Sequence, residues 1–331
     1  MSATANTEAK SFDLKGFISK FAIVFILALF VVVLAIITSG RFLNYKNLIN
    51  VIVQVAPIGI IALGMMFAII TKGIDLSVGA TVALSAVVAA SLAQNSSIPN
   101  AFFPGLVLPV FVPILAGLLT GAVVGAVVGG LVAVFRIPPF IATLGMMTAA
   151  RGVALIYTDG RPISQLAPGF NWIGQGSILG VPVPVYLLVI CIVVIWTILN
   201  RTRFGRHVYA IGGNEQAAKV SGISIYKAQF FIYALIGLLA GLAGMILAAR
   251  IGSGNPQLGM QMELDAITAT VIGGTSFNGG IGTVWGVIVG ALIIGVINNG
   301  LDLMNVSPFM QMVVKGAIIV IAIIIDERKN R

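Results

Sequence analysis

Three groups of residues in this sequence could do chemistry. The segment TKGIDLSVG, Thr71 to Gly79, sets Lys72, Asp75 and Ser77 among glycines between two long apolar runs. Two cations, Arg151 and Lys315, lie inside other apolar runs. A polar stretch, RTRFGRHVYAIGGNEQAAKVSGI, holds a cluster of basic residues and the single histidine, His207. None of these forms a nucleophile–base set, because His207 has only basic company nearby and no Ser-His-Asp arrangement is in view. The glycine pairs Gly273–Gly274 and Gly279–Gly280 flank TSFN like a phosphate loop, but GxxxxGK[ST] occurs nowhere. The chain is therefore expected to carry no catalytic residue, no metal and no cofactor, and not to hydrolyse ATP itself. The glycines read instead as a tight turn.

The elements that must position these residues follow from composition. Of 331 residues, 59% are hydrophobic and 9% charged, against about 25% charged in a soluble domain. Several uncharged runs exceed the roughly 18 residues that mark a membrane span. The expected fold is an all-α membrane protein of ten crossings. These are Phe21–Thr38, Leu48–Thr71, Ser77–Ala93, Leu106–Phe135, Phe140–Thr158, Val183–Leu199, Ala228–Ala249, Leu264–Phe277, Thr283–Leu301 and Phe309–Ile325. The eighth is short, at about 21 Å for its length, so it is either a half-span or continues through Gly279–Gly282. The first run has no small-x-small cleavage site after it and reads as retained. Cys191 is alone, so no intrachain disulfide can form.

The net charge of +9 fits membrane orientation better than nucleic acid, because the lysines and arginines fall in loops. With ten crossings, thirteen of the nineteen basic residues share one side and four the other. The positive-inside rule then puts both termini and the stretch 201–227 in the cytoplasm. The whole chain, 1–331, reads as one transmembrane domain with tails 1–20 and 326–331. Neither long polar stretch, Asp159–Pro182 or Asn200–Lys227, could fold as a soluble enzyme.

Glycine spacing speaks to packing. Gly117, Gly121, Gly125 and Gly129 recur every four residues, as do Gly237 with Gly241 and Gly286 with Gly290. Such ridges let two helix backbones approach closely.

Within this layout each candidate has two readings. Gly73, Asp75 and Ser77 form a tight cytoplasmic turn, with Gly73 free to take unusual backbone angles. Asp75 caps the next helix, or also fixes a gate or a partner contact. In the basic stretch, Gly213 precedes Asn214, a good N-cap. Glu215, Gln216, Ala217, Ala218, Lys219 and Val220 would form a short helix, and Gly222 would stop it. That helix inserts into a partner, or the loop merely sets topology. Lys315 stands about 16 Å up its helix from Asp326, too deep to snorkel freely to the inner surface, and calls for a carboxylate, Asp265, Glu263 or Asp302, either as a structural ion pair or as part of transport. Arg151 poses the same question. Gln54, Thr143, Asn298, Asn299 and Gln311 are polar groups that could line a path for a neutral polyol, with Trp285 and Phe140 as aromatic faces; each could equally bridge two helices. A carrier driven by an ion gradient is the main alternative, although the acids Asp75, Glu263, Asp265 and Asp302 read as lying at span ends rather than mid-membrane.

Several of these stretches together carry a resemblance. GIDLSVG with the small apolar span after it, PPFIATLGMMTAARGVALIYTDGRPI, TRFGRHVYAIGGNEQAAKVSGI, ELDAITATVIGGTSFNGGIGT and the tail MVVKGAIIVIAIII resemble, in order, the permease subunits of sugar-importing ABC transporters of the ribose and galactose type. The likeness covers nearly everything after about residue 40. It implies the permease half of a type II importer, of ten spans, in the bacterial inner membrane. It also implies a homodimer, a cytoplasmic ATPase that binds ATP and magnesium, and a periplasmic or lipid-anchored sugar-binding protein. Residues 213–220 and Gly222 would then be the coupling helix. Branched-chain amino acid permeases share the general fold but match GIDLSVG and IGGNEQAAKVSGI less closely.

Overall fold

The computed structural model describes residues 14–98 and 100–329. Helices dominate, in the order α1 Leu14–Ile37, α2 Tyr45–Ile70, α3 Val78–Ala93, α4 Phe111–Ala133, α5 Pro139–Thr158, α6 Pro168–Gln175 and α7 Val183–Arg201. They continue with α8 Arg203–Gly213, α9 Glu215–Val220, α10 Ile225–Ile251, α11 Met262–Ile272, α12 Val284–Leu303 and α13 Pro308–Lys329. Six of them, α2, α4, α5, α7, α10 and α12, are long and apolar enough to cross a membrane; Ala22–Ile37, Val78–Ala93 and Pro308–Ile324 are shorter apolar stretches. Together with α11 they occupy the ten expected positions. Among the described residues extended structure is limited to an isolated bridge between Gln94 and Leu166 and two short ladders, a local one of β2 Ser177–Ile178 with β3 Val181–Pro182 and one of β1 Ile163–Ser164 with β4 Ser253–Gly254 that joins distant loops.

Several boundaries differ from expectation. The fourth helix begins at Phe111 rather than Leu106, because Pro109 lacks an amide proton and biases Leu108 away from helix. The eighth is α11, eleven residues ending at Ile272. It does not run on, since Gly274, Gly279 and Gly280 take positive φ in the turn that follows. At the tails, Leu14 to Lys20 already belong to α1, and α13 runs through 326–329; residues 1–13 and 330–331 lie outside the described residues.

The core is α2. From Val55 to Ile70 every residue is buried, as expected of a helix apolar on all sides. Beside it lies α10, whose Gly237 and Gly241 meet Gly121 and Gly125 of α4 backbone to backbone, with no room for a Cβ. Gly286 and Gly290 of α12 press likewise on Ala269 of α11 and on Gly273, the residue that ends it. This is the close approach that glycine ridges permit.

One pattern occurs twice, upside down. Ile70, the last residue of α2, lies against the α8–α9 junction that leads into α10, so α2 ends on the face where α10 begins. Each is followed by a non-helical segment, a short helix (α3 or α11) and two further helices. Packing follows the same exchange, with α10 against α3 and α4, and α2 against α11 and α12. Such inverted repeats with interrupted helices are a recurring transporter architecture.

Candidate functional site: two helix starts inside the bundle

The short helices α3 and α11 begin within the bundle rather than at its faces. Measured along α10 from Ile225 at 1.5 Å per residue, Tyr233 stands about 12 Å in and Gly244 about 28 Å in. Gly73 packs on the Tyr233 hydroxyl, and Gly244 packs on Val82. Thus α3 starts about halfway along α10. Gly79, in its first turn, meets Gly259 and the Glu263 carboxylate, which sets the start of α11 at the same depth. The two amino ends face each other, and their helices run toward opposite faces. Acids gather there because a helix start presents free amides and a positive dipole end.

At the first start, Ser77 donates its N–H and its hydroxyl to Asp75 Oδ1, at 2.8 and 2.6 Å. Asp75 is 1% exposed and neighbours Tyr233, so it is sealed inside the bundle and does not face water. The chain reverses one step earlier, where Lys72 takes φ +62°. Gly73 therefore needs no unusual angle. Its requirement is space, because a Cβ would collide with the Tyr233 hydroxyl.

At the second start, Gln261 takes φ +66° and α11 opens with Glu263 and Asp265 in its first turn. Asp265 is 7% exposed and receives the Lys315 ammonium from α13 at 2.9 Å, with Asn298 also beside it. Of the three carboxylates open to Lys315, the fold selects Asp265. Arg151 does otherwise. Its Nη1 donates to the carbonyls of Pro256 and of Leu258, the latter at 2.8 Å, and Glu263 lies within electrostatic reach. Backbone carbonyls take the place of the expected carboxylate as its direct partners, since the non-helical backbone here must find donors within the protein.

The polar path candidates do not converge. Asn299 exchanges two hydrogen bonds with Asn47, at 2.9 and 3.0 Å, tying α12 to α2. Gln311 donates to Asp302 and to the Val306 carbonyl. Thr143 is buried and donates to Phe140 within its own helix. Gln54 is half-buried in α2, and Asn298 keeps a buried Oδ1 without a protein partner. Trp285 and Phe140 stand on the outer surface. Interhelical and local bonding thus accounts for Thr143, Asn299 and Gln311.

The basic stretch is more ordered than a loop. Thr202 accepts from Gly205 N–H to start α8, whose Val208 and Ile211 are buried. The sequence signal was an N-cap threonine and an apolar spacing of three to four residues, masked by Gly205, Gly212 and Gly213. Asn214 then caps α9 by accepting from Ala217 N–H at 3.0 Å. Gly222, at φ +83°, ends it. Only Ala218 of α9 is buried; Glu215, Gln216, Ala217 and Lys219 face outward with Gly213 and Gly222, and Val220 is 89% exposed. A cleft of about 410 Å³ runs between α9 and Arg136–Pro139, with the Arg136 guanidinium 5.3 Å from the Tyr226 ring.

This outer helix packs on α10 through Ala218, beside Ile225 and Ala228, and α8 before it is fixed to the bundle at a joint. Gly212 packs on Ile70 O and Gly280 N, Gly280 N–H donates to Ile70 O at 2.9 Å, and Tyr209 donates its hydroxyl to Gly282 O at 2.7 Å. The joint links α8–α9 to the end of α2 and to the turn after α11. Sequence reasoning did not find Tyr209, whose role depends on a residue 73 positions away.

A bundle of apolar helices with inverted halves and interrupted members is the architecture of a multi-pass membrane transport protein. Residues 47–323 match the family described as branched-chain amino acid transport system / permease component, and the chain belongs to it. It is 46% identical to the ribose import permease protein RbsC of Bacillus subtilis, over 98% of both chains. It is 44% identical to RbsC of Escherichia coli K12, covering 92% of this chain and 93% of that one. It is 41% identical to the galactose/methyl galactoside import permease protein MglC of the same strain, covering 92% and 94%. No solved structure matches.

Proposed function

We propose that this chain is the membrane-spanning permease subunit of an ATP-driven importer of monosaccharides. It resides in a bacterial inner membrane with its termini and α8–α9 in the cytoplasm. A separate ATPase subunit binds ATP and magnesium and docks on α9. A sugar-binding protein delivers substrate to the opposite face, and two copies of the permease pair around the path. The observation that carries the motor assignment is the joint at Gly212, Ile70, Gly280 and Tyr209. It connects α8, which leads through Asn214 alone into the exposed short helix α9, to the parts of the bundle that bear the interrupted helices. Movement imposed on α9 therefore reaches α2 and the α11–α12 turn without a flexible loop intervening. The sugar class rests on the relatives named above, which divide between a pentose and a hexose.

The test is uptake in vesicles holding this chain with its co-purified ATPase, supplied with sugar-loaded binding protein. ATP-dependent entry of labelled ribose or galactose supports the reading. Entry driven by a proton or sodium gradient without ATP refutes it. The orientation has its own check: Lys219→Cys in a Cys191→Ala background is expected to react with an impermeant maleimide only after cells are opened.

A further inference from the structure

We propose that Arg151 is a positioning residue that latches the segment 252–261 shut as an outer gate. This segment joins α10 to α11 and has three attachments. At its start, β4 pairs with β1 in the loop after α5, with Ile163 opposite Gly254, and the Ser253 hydroxyl donates to Ile163 O at 3.1 Å. It then runs along α3, with Gly254 against Ala86 and Ala90 and Gly259 against Gly79 and Val82. Third, Arg151 donates to Pro256 O and Leu258 O.

The internal bonds of the segment are those of turns, from Gln257 N–H to Asn255 Oδ1 and from Leu258 N–H to Asn255 O. No regular ladder holds its inner part. Two of its carbonyls depend on one guanidinium, and that guanidinium belongs to α5. The same side chain faces Glu263 in the first turn of α11. Arg151 thus joins α5, the inserted segment and the start of α11. On α5 its neighbours Ala150 and Ala154 are buried and the helix packs on α3 and α4, whereas Gly145, Thr148 and Ala149 are exposed, and the bonds from Arg151 tie α5 itself directly to the inserted segment. A shift of α5 against α10 and α11 withdraws both donors together, and non-helical backbone is stable at this depth only while its polar groups are satisfied. Release of the latch frees the segment to leave its place along α3 and uncover the two helix starts beneath it.

The gate rests on the transport reading, but its first test does not require transport. Leu258→Cys, in the full chain with Cys191→Ala, reports access to the segment through its rate of reaction with an impermeant maleimide added from outside. In the Arg151→Gln variant that rate is expected to rise about tenfold, with Arg151→Lys between the two, as for loss of one local stabilising contact. An unchanged rate in folded Arg151→Gln protein overturns the proposal. If Arg151→Gln does not accumulate, the wild-type Arg151 protein decides. Reactivity at Leu258→Cys must then rise when ATP and loaded binding protein are supplied, and a constant rate overturns the gate. In uptake, Arg151→Lys is expected to lower the maximal rate severalfold with little change in KM for the loaded binding protein. A change in KM alone would assign Arg151 to docking instead and overturn the latch. Failure of sugar uptake in the wild type would refute the transport reading without bearing on the labelling comparison between wild type and Arg151→Gln.

Discussion

The two interrupted helices solve one problem in different ways. Between α2 and α3 the break is short, and its polar groups are served locally: Asp75 takes both the N–H and the hydroxyl of Ser77. Between α10 and α11 the break is longer, and its charges come from far along the chain, with Arg151 reaching over from α5 and Lys315 from α13. The first is a self-contained turn. The second is an assembly of three helices around a segment that cannot satisfy itself. A break held by local bonds moves as a unit with its helix, whereas one held by distant side chains responds when those helices move.

The contrast can be broken most severely at Lys315. Replacing it with Met leaves Asp265 buried without its cation, which costs about 3–5 kcal/mol. The expected result is a large fall in thermal stability of the purified protein, largely recovered in the Lys315→Met/Asp265→Leu double variant. A fall that the second change does not reverse would show that Lys315 acts through something other than this pair.

Arg151→Gln is expected to cost less, about 1–3 kcal/mol, because its direct hydrogen-bond partners are carbonyls, with Glu263 near it but not hydrogen-bonded to it. Its stability loss should therefore be smaller than that of Lys315→Met while its effect on the outer segment is larger. Equal losses would erase the distinction between an ion pair and a latch.

Next comes Gly73→Ala, which sets a methyl against the Tyr233 hydroxyl and is expected to cost about 1–3 kcal/mol by overpacking. Adding Tyr233→Phe should return much of that, a coupling that a double-mutant cycle reads directly. Additive costs would mean that the backbone angle of Gly73, not the space beside it, is the constraint.

The smallest effect belongs to Asp75→Asn. The amide oxygen still accepts from Ser77, so the loss should stay below about 1 kcal/mol. Uptake is expected to fall modestly with sugar preference unchanged, as read from competition between labelled ribose and galactose. A shift in preference at an unchanged rate would place Asp75 on the path.

Much of this was legible in the residues. The apolar runs marked the helices, and the glycine spacing of α4, α10 and α12 marked the close approaches. Asn214 and Gly222 bounded α9, because N-capping and a left-handed stop are local requirements. Lys315 announced a buried partner. The helix α8 was hidden because its three glycines mimic a loop while its stability comes from burying Val208 and Ile211 against the bundle. Asp75 was expected at a water-facing turn, since nothing in a short segment tells whether a helix begins at the membrane surface or halfway through the protein.

By itself the sequence determined that lipid would surround this chain, where helices could form and which faces could touch closely. These follow from hydropathy, capping and backbone sterics, all of which act within a few residues. Only the tertiary structure decided the depth at which α3 and α11 begin, the choice of Asp265 for Lys315 and the assignment of Arg151 to two carbonyls. Each depends on which distant helix lies alongside, and that is fixed by the packing of α2 and α10 at the centre rather than by any neighbour in sequence.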